Sequence, residues 1–555
     1  MRQRLMWSAA GALLLALPTR MPAQGTVVDL VIAATTDVHG RLRGYDYFTG
    51  RDDARRGLAR AATIVDSVRS ANPDRVILVD AGDLLQGNPL TYVAARRDTA
   101  GPHPVIAAMN AMRYDAAALG NHEFNYGLPT LERALASASF PFLAANARRA
   151  DGSRFLPAYR IVERGGVRVG ILGATNPGSM VWDRDLLRGR VTIGDIVTSL
   201  KAAAIEAREA GADILIVVVH AGLDGASTYD TTNVASENPS ARIAMDVPGI
   251  DLVVYGHSHR EMADTSIGGV LLVQAKNFGE SVALARLTVQ NRGQRWSVIA
   301  KRGVLVRSAG HAESPAVVAA TARGHAAAIA YANTVVGRTE SAWNADSARV
   351  GATALMNFIL EVERKVTGAD LASTAAFDLG AALPAGPITV AQMAKLYPYD
   401  NTLRAIRITG AQLKQYLEQS ARYWEVRGDT VRPDPNIPGF NFDMVAGADY
   451  EIDLRRPVGD RVVGLRVRGK AVRPTDTFTM ALNNYRAGGG GGYGFIATAP
   501  VLYDQQREIR DLLIEEAQRR GVLRPADFGA RNWRLTPGSL AAAAYASTRR
   551  DGGPR

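Results

Sequence analysis

Five short motifs in this 555-residue chain contain five of its eight histidines, together with Asp, Asn and Gly. They are Asp37-Val38-His39, Gly82-Asp83, Gly120-Asn121-His122-Glu123, His220 and Gly256-His257-Ser258-His259. Residues two apart in an extended segment point the same way, so Asp37 and His39 can hold one ion, and the same spacing recurs in His257 and His259. Carboxylate oxygens and neutral imidazoles suit Zn, Mn, Fe or Co, and the chain has no cysteine for a thiolate zinc site. The pattern predicts a hydrolytic centre of two divalent cations roughly 3.5–4 Å apart, with Asp83 as the bridge.

The elements that must position these residues are short apolar runs, one directly before each motif. The runs cover residues 30–34, 76–79, 116–119, 214–219 and 252–255. Apolar runs bounded by Gly and Asp are typical of buried parallel strands. Open α/β sheets bind ligands beyond the carboxyl ends of their strands, so we expect the five motifs to converge on one pocket.

Length and texture predict two domains of roughly 200 to 270 residues each. The first half alternates strand-like and helix-like segments, which favours a layered α/β sandwich. The second half has short strands and an amphipathic helix around Leu413 to Trp424, which favours a smaller α/β (α+β) domain. The expected division is 24–306 for the first domain, 307–340 for an Ala-rich linker helix, 341–530 for the second domain and 531–555 for a loose tail.

The amino terminus is expected to be a secretory signal peptide covering residues 1–23. Arg2 and Arg4 precede an apolar stretch at 6–17, and Ala23 offers a small residue for cleavage. That stretch is too short to span a bilayer comfortably, and no later segment approaches roughly 18 uninterrupted apolar residues. Without cysteine, neither a disulfide nor a lipid-modified cysteine is possible. We therefore expect a periplasmic or secreted protein with no membrane span.

The net charge of +11 comes from scattered arginines, with no Lys/Arg run longer than three residues. This favours a basic solvated surface over a track for a nucleic-acid polymer. A positive potential would still help to collect small phosphorylated substrates. The oligomeric state is not predicted.

The order of the five motifs resembles that of the calcineurin-like metallophosphoesterases. The resemblance implies that one cation is bound by Asp37, His39, Asp83 and His259. It implies that the other is bound by Asp83, Asn121, His220 and His257. His122 is then a catalytic histidine that binds no metal, and it would stabilise the transition-state charge or protonate the departing oxygen.

Over nearly the whole chain after residue 23, the sequence resembles the 5′-nucleotidase superfamily, in which a nucleotide-specificity domain follows the metal domain. The resemblance rests on the segments 397–403 and 483–492, the second of which ends in a glycine run. Glycine lets a backbone approach a ligand closely, and an adjacent aromatic ring can stack on a nucleobase. By this resemblance Tyr485 forms one side of a base clamp. Phe440 is favoured for the other side, with Phe442 as the alternative.

Two departures from the 5′-nucleotidase branch resemble instead the 2′,3′-cyclic-nucleotide 2′-phosphodiesterase/3′-nucleotidase branch. Segment 373–378 lacks the arginine of an Asn-Gly-Gly-x-Arg phosphate-binding segment, and Asn125 stands where that branch has Asp. An amide can orient an imidazole by hydrogen bonding, but it cannot stabilise the imidazole's positive charge as a carboxylate does.

Several other functions are weighed against that of a 2′,3′-cyclic-nucleotide 2′-phosphodiesterase/3′-nucleotidase. A 5′-nucleotidase or UDP-sugar hydrolase would use the same cations with a different substrate pose. A non-catalytic extracellular nucleotide-binding protein would keep the fold without the chemistry. P-loop, dinucleotide-binding and Gly-x-Ser-x-Gly hydrolase functions are excluded because their motifs are absent from the sequence.

Overall fold

A computed structural model describes residues 25–293 and 295–550 of the chain. The expected signal peptide, residues 1–23, lies outside the described residues. Among the described residues, none of the helices combines the length and the hydropathy needed to cross a bilayer.

The first half contains sixteen strands and nine helices within its described residues. Its strands are β1 (Val27–Thr35), β2 (Tyr45–Asp46), β3 (Arg51–Asp52), β4 (Val76–Asp80), β5 (Ala116–Ala118), β6 (Phe142–Leu143), β7 (Ala147–Arg149), β8 (Tyr159–Arg164), β9 (Val167–Ala174), β10 (Val191–Ile193), β11 (Ile214–Val219), β12 (Leu252–Tyr255), β13 (Met262–Ile267), β14 (Val270–Gln274), β15 (Ser281–Arg292) and β16 (Arg295–Arg307). Its helices are α1 (Leu58–Ala71), α2 (Pro89–Arg96), α3 (Pro104–Met112), α4 (Leu128–Ala136), α5 (Ser179–Trp182), α6 (Arg184–Leu187), α7 (Ile196–Glu209), α8 (Ser240–Asp246) and α9 (Pro315–Ala332).

Two six-stranded sheets form the middle of this half, in the orders β16-β15-β1-β4-β5-β6 and β13-β14-β12-β11-β9-β8. The strands β1, β4, β5 and β6 pair in parallel, as do β9, β11, β12 and β14. Strand alternation sends Leu30 and Ile32 of β1 into the core between the sheets, where they meet residues such as Ile216 of β11. The other face of β1 buries Val31 and Ala33 in the cluster that includes α1 and α3. The expected α/β sandwich is therefore present, and each apolar run before a motif is a buried strand.

The second half packs around one larger hydrophobic cluster. Its strands are β17 (Val335–Thr339), β18 (Trp343–Asn344), β19 (Leu371–Ala375), β20 (Ala382–Leu383), β21 (Gly386–Thr389), β22 (Thr402–Thr409), β23 (Trp424–Arg427), β24 (Thr430–Pro433), β25 (Asp443–Ala446), β26 (Ala448–Asp453), β27 (Val462–Val467), β28 (Lys470–Ala471), β29 (Thr477–Asn483), β30 (Val501–Glu508), β31 (Val522–Leu523) and β32 (Trp533–Thr536). Its helices are α10 (Ala354–Thr367), α11 (Val390–Leu396), α12 (Gly410–Ala421), α13 (Asn484–Ala487), α14 (Ile509–Arg520) and α15 (Gly538–Arg550). A five-stranded sheet, β25-β19-β29-β22-β30, and a four-stranded sheet, β28-β27-β26-β32, contribute to this cluster together with helices α10, α12 and α14.

The predicted linker range, 307–340, contains more than a helix. Helix α9 packs its Val317 and Ala328 into the core of the first half, so it belongs to that half's outer layer. Strand β17 also falls in the range, and it pairs with β21 and β31 of the second half. The sheets of the second half thus begin at Val335, before the expected boundary at 341.

The prediction of a loose tail over residues 531–555 is wrong for its described part. Strand β32 pairs in parallel with β26, and Trp533 stacks on Tyr450 with ring centroids 6.0 Å apart. Helix α15 buries Leu540 and Ala544 in the core of the second half. An Ala- and Arg-rich composition resembles that of disordered segments, but here the small side chains form one packed helix face.

Candidate metal centre and substrate cleft

The predicted metal-binding side chains lie together at the carboxyl ends of strands from both sheets. Motifs after β1, β4 and β5 come from one sheet, and motifs after β11 and β12 come from the other. Two groups result, each with donor atoms within 4.8 Å of one another. One group is Asp37, His39 and His259, and the other is Asp83, His220 and His257. His39 Nε2 lies 3.7 Å and His220 Nε2 3.0 Å from Asp83 Oδ2, so Asp83 faces both groups.

The backbone of these loops is held in an uncommon conformation. Five of the seven predicted ligands have a positive φ of 48° to 71°, namely Asp37, His39, Asp83, His257 and His259. Non-glycine residues rarely adopt this region, and such outliers concentrate at functional sites. Backbone hydrogen bonds hold the loops together: Asp37 N–H donates to Gly82 O, and His39 N–H donates to Asp83 O, both at 2.9 Å.

Gly120 allows the two loops of the first sheet to approach closely. A Cβ on Gly120 would lie 2.1 Å from Asp83 Oδ1, so no other residue fits without displacing that carboxylate. The Glu123 carboxylate accepts the backbone N–H groups of Asp83, Leu84 and Leu85 at 2.6 to 3.0 Å. Glu123 therefore fixes the loop after β4 to the loop after β5.

Three of these histidines are oriented by a hydrogen bond on the ring nitrogen that does not face the other donors. His39 Nδ1 lies 2.8 Å from Gln86 O, and His220 Nδ1 lies 2.8 Å from Ala81 O. Both rings therefore turn Nε2 toward Asp83. His257 Nε2 lies 2.7 Å from Glu237 Oε1, which leaves Nδ1 for the second group. Metal-binding histidines are commonly oriented in this way by carbonyl or carboxylate partners.

The electrostatics and the unpaired atoms of this cluster fit a pair of cations. Burial acts to lower the pKa of His220, but Asp83 and Asp37 outweigh it and raise that pKa to about 10. Burial lowers the pKa of His39 to about 3, although Asp83 acts in the opposite direction. Asn121 Oδ1 is buried without a hydrogen-bond partner among the described residues. An oxygen- and nitrogen-rich cage with two buried carboxylates suits divalent transition metals.

His122 lies beside the cluster and belongs to neither donor group. Its backbone N–H donates to Asp83 Oδ1 at 2.8 Å, and its ring lies 5.2 Å from that of His39. His122 Nδ1 is 2.6 Å from Asn125 Oδ1. The Asn125 side chain in turn donates to Asp183 Oδ1 at 2.9 Å. The imidazole lines the cleft, so Nε2 is the atom left for a substrate.

A cleft of about 1880 Å³ separates the two halves, and the donor cluster forms part of its floor. Its opposite wall carries Phe377, Tyr399, Phe440 and Tyr485, all partly exposed. Tyr485 lies flat on the glycine run, since a Cβ on Gly490 would come within 2.6 Å of its ring. Phe440 and Tyr485 both line this cleft, and their role as the two sides of a base clamp stays a prediction.

Phe442 is not on this wall, and its prediction as a base-contacting residue is wrong. Its side chain is fully buried and packs against Tyr423, Trp424 and Trp533, with ring centroids 5.6, 6.3 and 5.7 Å away. Phe440 lies within a short 3₁₀ turn, Gly439–Asn441, and Phe442 directly follows that turn. Phe440 therefore lines the cleft while Phe442 enters the core.

Arg486 holds both sides of the aromatic wall, and the sequence did not reveal it as a functional residue. Its guanidinium donates to the carbonyls of Gly490 and Phe440 at 2.7 and 2.9 Å. It also forms a buried ion pair with Asp443 at 2.8 Å, which raises the arginine's pKa although burial acts to lower it. A single arginine next to a tyrosine is not part of any recognisable spacing pattern, so the sequence does not predict these contacts.

Three further residues near the cluster were also missed. Glu237 is buried and accepts hydrogen bonds from His257 and Thr228. Burial acts to raise its pKa, but these hydrogen bonds outweigh burial and lower it. Trp182 stacks on the His257 ring at 5.7 Å. Asp183 is buried behind Asn125, and burial raises its pKa to about 7. All three lie in loops or single helical turns, where no periodicity marks them.

The second half contacts the first through charged and polar groups at the edge of the cleft. Asp400 accepts from Gln86 and Tyr126 at 2.9 and 2.7 Å and pairs with Arg510. Arg404 pairs with Asp185, next to α5 and α6. On the same side a Cβ on Gly488 would lie 2.8 Å from Val181 O, so the backbone of α13 touches α5.

Comparison with known proteins agrees with the fold and the motifs. Residues 30–261 match the calcineurin-like phosphoesterase model, and residues 334–498 match the 5′-nucleotidase C-terminal domain model. A 2′,3′-cyclic-nucleotide 2′-phosphodiesterase/3′-nucleotidase of Salmonella typhimurium is 30% identical, and the alignment covers 95% of this chain and 92% of that protein. The trifunctional nucleotide phosphoesterase YfkN of Bacillus subtilis is 29% identical over 92% of this chain, which spans 39% of the length of that protein.

A solved structure of a 5′-nucleotidase precursor from Thermus thermophilus has the same fold, with a TM-score of 0.66. It is 23% identical, and the match covers 92% of this chain and 100% of that one.

Proposed function

Since this chain belongs to the 5′-nucleotidase family of metallophosphoesterases, we propose that it hydrolyses 2′,3′-cyclic nucleotides to 3′-nucleotides and then converts these to nucleosides and phosphate. Its family makes it a phosphoester hydrolase, and the fold implies a dimetal centre. The observation that carries the proposal is one cleft with two Asp/His donor groups on one wall and an aromatic pair on the other. Asn125 beside His122 and the similarity to the Salmonella enzyme support this branch over a 5′-nucleotidase.

The proposed ligands of one cation are Asp37, His39, Asp83 and His259. The proposed ligands of the other are Asp83, Asn121, His220 and His257. When bound, two such cations supply Lewis-acid activation of the phosphate and a nucleophile at neutral pH. The metal identity among Zn, Mn, Fe and Co depends on availability, because these ligands accept all four.

His122 is the proposed catalytic residue. With Nδ1 bonded to Asn125, its Nε2 faces the position of a phosphate held over the donor groups. In the first reaction it would protonate the departing ribose 2′-oxygen, and in the second the 3′-oxygen. The 3′-nucleotide left by the first reaction still carries a phosphate and can bind again in the same cleft.

Tyr485 and Phe440 are the proposed base clamp. Stacking accepts any nucleobase because every base has a π-face, so we expect broad base specificity. Replacing Tyr485 by Ala is expected to raise KM about 5- to 150-fold, since stacking contributes roughly 1–3 kcal/mol per base. Initial-rate kinetics with purine and pyrimidine substrates measure this change, and kcat should change less than KM.

Phe442→Ala is the matched control for this experiment. It removes an aromatic ring two residues from Phe440 but within the core, so it should cost about 3–5 kcal/mol of stability. The KM of the folded enzyme should remain near that of the wild type. A Tyr485→Ala enzyme with unchanged KM for every base would show that the base binds elsewhere.

Phosphate release from 2′,3′-cyclic AMP, 3′-AMP and 5′-AMP, measured side by side, tests the proposed substrates. We expect the cyclic and 3′ substrates to have the higher kcat/KM, because segment 373–378 offers no arginine for a 5′-phosphate. A strong preference for 5′-AMP would instead identify a 5′-nucleotidase or UDP-sugar hydrolase. A purified protein that binds no transition metal and gains no activity with Mn or Zn would be a non-catalytic nucleotide-binding protein.

We further propose that the enzyme acts in the periplasm or as a secreted protein. The support is the composition of residues 1–23, with two arginines before an apolar stretch. Nucleotides are the proposed partners, without a nucleic-acid polymer.

A further inference from the structure

The hydrogen-bond chain behind His122 has a defined direction. Asn125 has one accepting end and one donating end, and its Nδ2 donates to Asp183 Oδ1 at 2.9 Å. This leaves Oδ1 for His122 Nδ1, 2.6 Å away. Since a carbonyl oxygen only accepts, His122 must carry a hydrogen on Nδ1. Only Nε2 then gains and loses a proton at the substrate.

Asp183 is what prevents the amide of Asn125 from turning over. If the amide rotated by 180°, its NH₂ group would face His122 Nδ1 and its carbonyl would face the carboxylate. With Asp183 ionised, that arrangement would leave an oxygen against an oxygen at Asp183 and would force the opposite imidazole tautomer. Asp183 is 4% exposed, so water does not readily replace Asn125 as its partner.

The Asp183 carboxylate has no evident structural task. It occupies the N-cap position of α6, where an aspartate usually accepts a backbone N–H, but it makes no such capping bond. Its Oδ2 is buried and has no hydrogen-bond partner among the described residues. Burial raises its pKa to about 7, against the opposing effects of the Asn125 hydrogen bond and of His122. A buried carboxylate with a raised pKa next to a cleft is a candidate for a functional role.

We propose that Asp183 is a positioning residue that acts through Asn125 to fix the orientation and tautomer of His122. This relay of three side chains takes the place of a direct histidine–carboxylate pair. The inference rests on the proposed function of His122 as the proton donor in phosphoester hydrolysis.

Exchanging the two relay residues tests the direction of the chain. In Asn125→Asp, two carboxylates would face each other where an N–H···O bond of 2.9 Å now lies, so kcat should fall at least about tenfold. In the double variant Asn125→Asp/Asp183→Asn, the new amide can donate to the new carboxylate. We expect kcat to return to within about threefold of the wild type. A double variant no better than Asn125→Asp alone would overturn the relay.

Asp183→Ala and Asp183→Asn test the positioning role itself. Asp183→Ala, which removes the acceptor of the Asn125 hydrogen bond, should lower kcat about 10- to 100-fold, as loss of outer-shell partners commonly does, while KM changes less than about twofold. The amide oxygen that Asp183→Asn introduces can still accept from Asn125, so this conservative variant should retain most of kcat. Unchanged kcat in Asp183→Ala would overturn the proposal.

The leaving group separates positioning from general damage. p-Nitrophenolate departs without a proton, so Asp183→Ala should lose much less kcat on p-nitrophenyl phosphate than on 3′-AMP. An equal loss on both substrates would mean that Asp183 is merely structural. Asp195→Ala is the matched control, because Asp195 caps α7 outside the cleft by accepting from Thr198 N–H. It should lower the melting temperature and leave both kcat values unchanged.

The same assays distinguish the two proposals. A wild-type protein that hydrolyses no nucleotide would refute the proposed function. An active wild type with no coupling between positions 125 and 183 would refute only the relay. If Asp183→Ala fails to fold, the double variant Asn125→Asp/Asp183→Asn still tests the relay, because the side chains at both positions keep nearly the same size.

Discussion

Replacement of Asp83 by Ala is expected to remove nearly all phosphoesterase activity together with most of the bound metal. Asp83 faces both donor groups, with Oδ2 at 3.0 Å from His220 and 3.7 Å from His39. Its loss would remove the shared ligand and a negative charge from a buried cage. We expect kcat to fall by more than the roughly 10²–10³-fold that follows loss of one transition-state hydrogen-bond donor.

Metal analysis and activity must be measured on the same Asp83→Ala preparation. Two cations per chain are expected in the wild type and clearly fewer in the variant. Asp83→Asn serves as the companion variant, since it keeps one oxygen ligand and the shape but not the charge, and its losses should be smaller. Full turnover by Asp83→Ala would mean that the chemistry occurs elsewhere in the protein.

The second large effect is expected for His122→Ala, which should lower kcat about 10²- to 10⁴-fold while both cations remain bound. The backbone N–H of residue 122, which donates to Asp83 Oδ1 at 2.8 Å, survives this substitution. The donor groups should therefore keep their geometry. The loss should be greater with nucleotides than with p-nitrophenyl phosphate, whose leaving group needs no proton.

His325→Ala is the histidine control for this experiment. His325 bonds to Tyr47 at 2.7 Å and does not line the cleft, so kcat should stay at the wild-type value. Loss of metal from His122→Ala along with activity would contradict the proposal, because it would make His122 a ligand.

The sequence predicted the strands that carry the cluster because each motif directly follows a buried run. The sequence could not show which strand belongs to which sheet, because β4 and β11 are both short apolar runs of similar composition. The carboxyl ends of the strands of both sheets lie at the same end of the sandwich. The five motifs therefore converge although they come from two sheets.

The aromatic wall and the outer partners of the cluster were harder to predict. Phe440 and Phe442 differ in burial because of a single 3₁₀ turn, and neither residue type nor spacing reports that turn. Asp183 and Glu237 are lone acidic residues in loops, brought to their histidines only by tertiary packing. The prediction of a loose tail was wrong because it was based on amino-acid composition. Helix α15 is ordered by its packing against the core of the second half, which composition does not report.

The contact of α13 and Arg404 with the α5–α6 region bears on how such enzymes can be re-engineered. Asp185 meets Arg404 only two residues from Asp183, and Val181 touches the backbone at Gly488. A chimera that receives its second domain from a relative would thus place foreign side chains against the residues that support the proposed proton donor, His122. A compatible replacement of the second domain must preserve Arg404 and Gly488 at this contact. Otherwise we expect a change in base selectivity to be accompanied by a lower kcat.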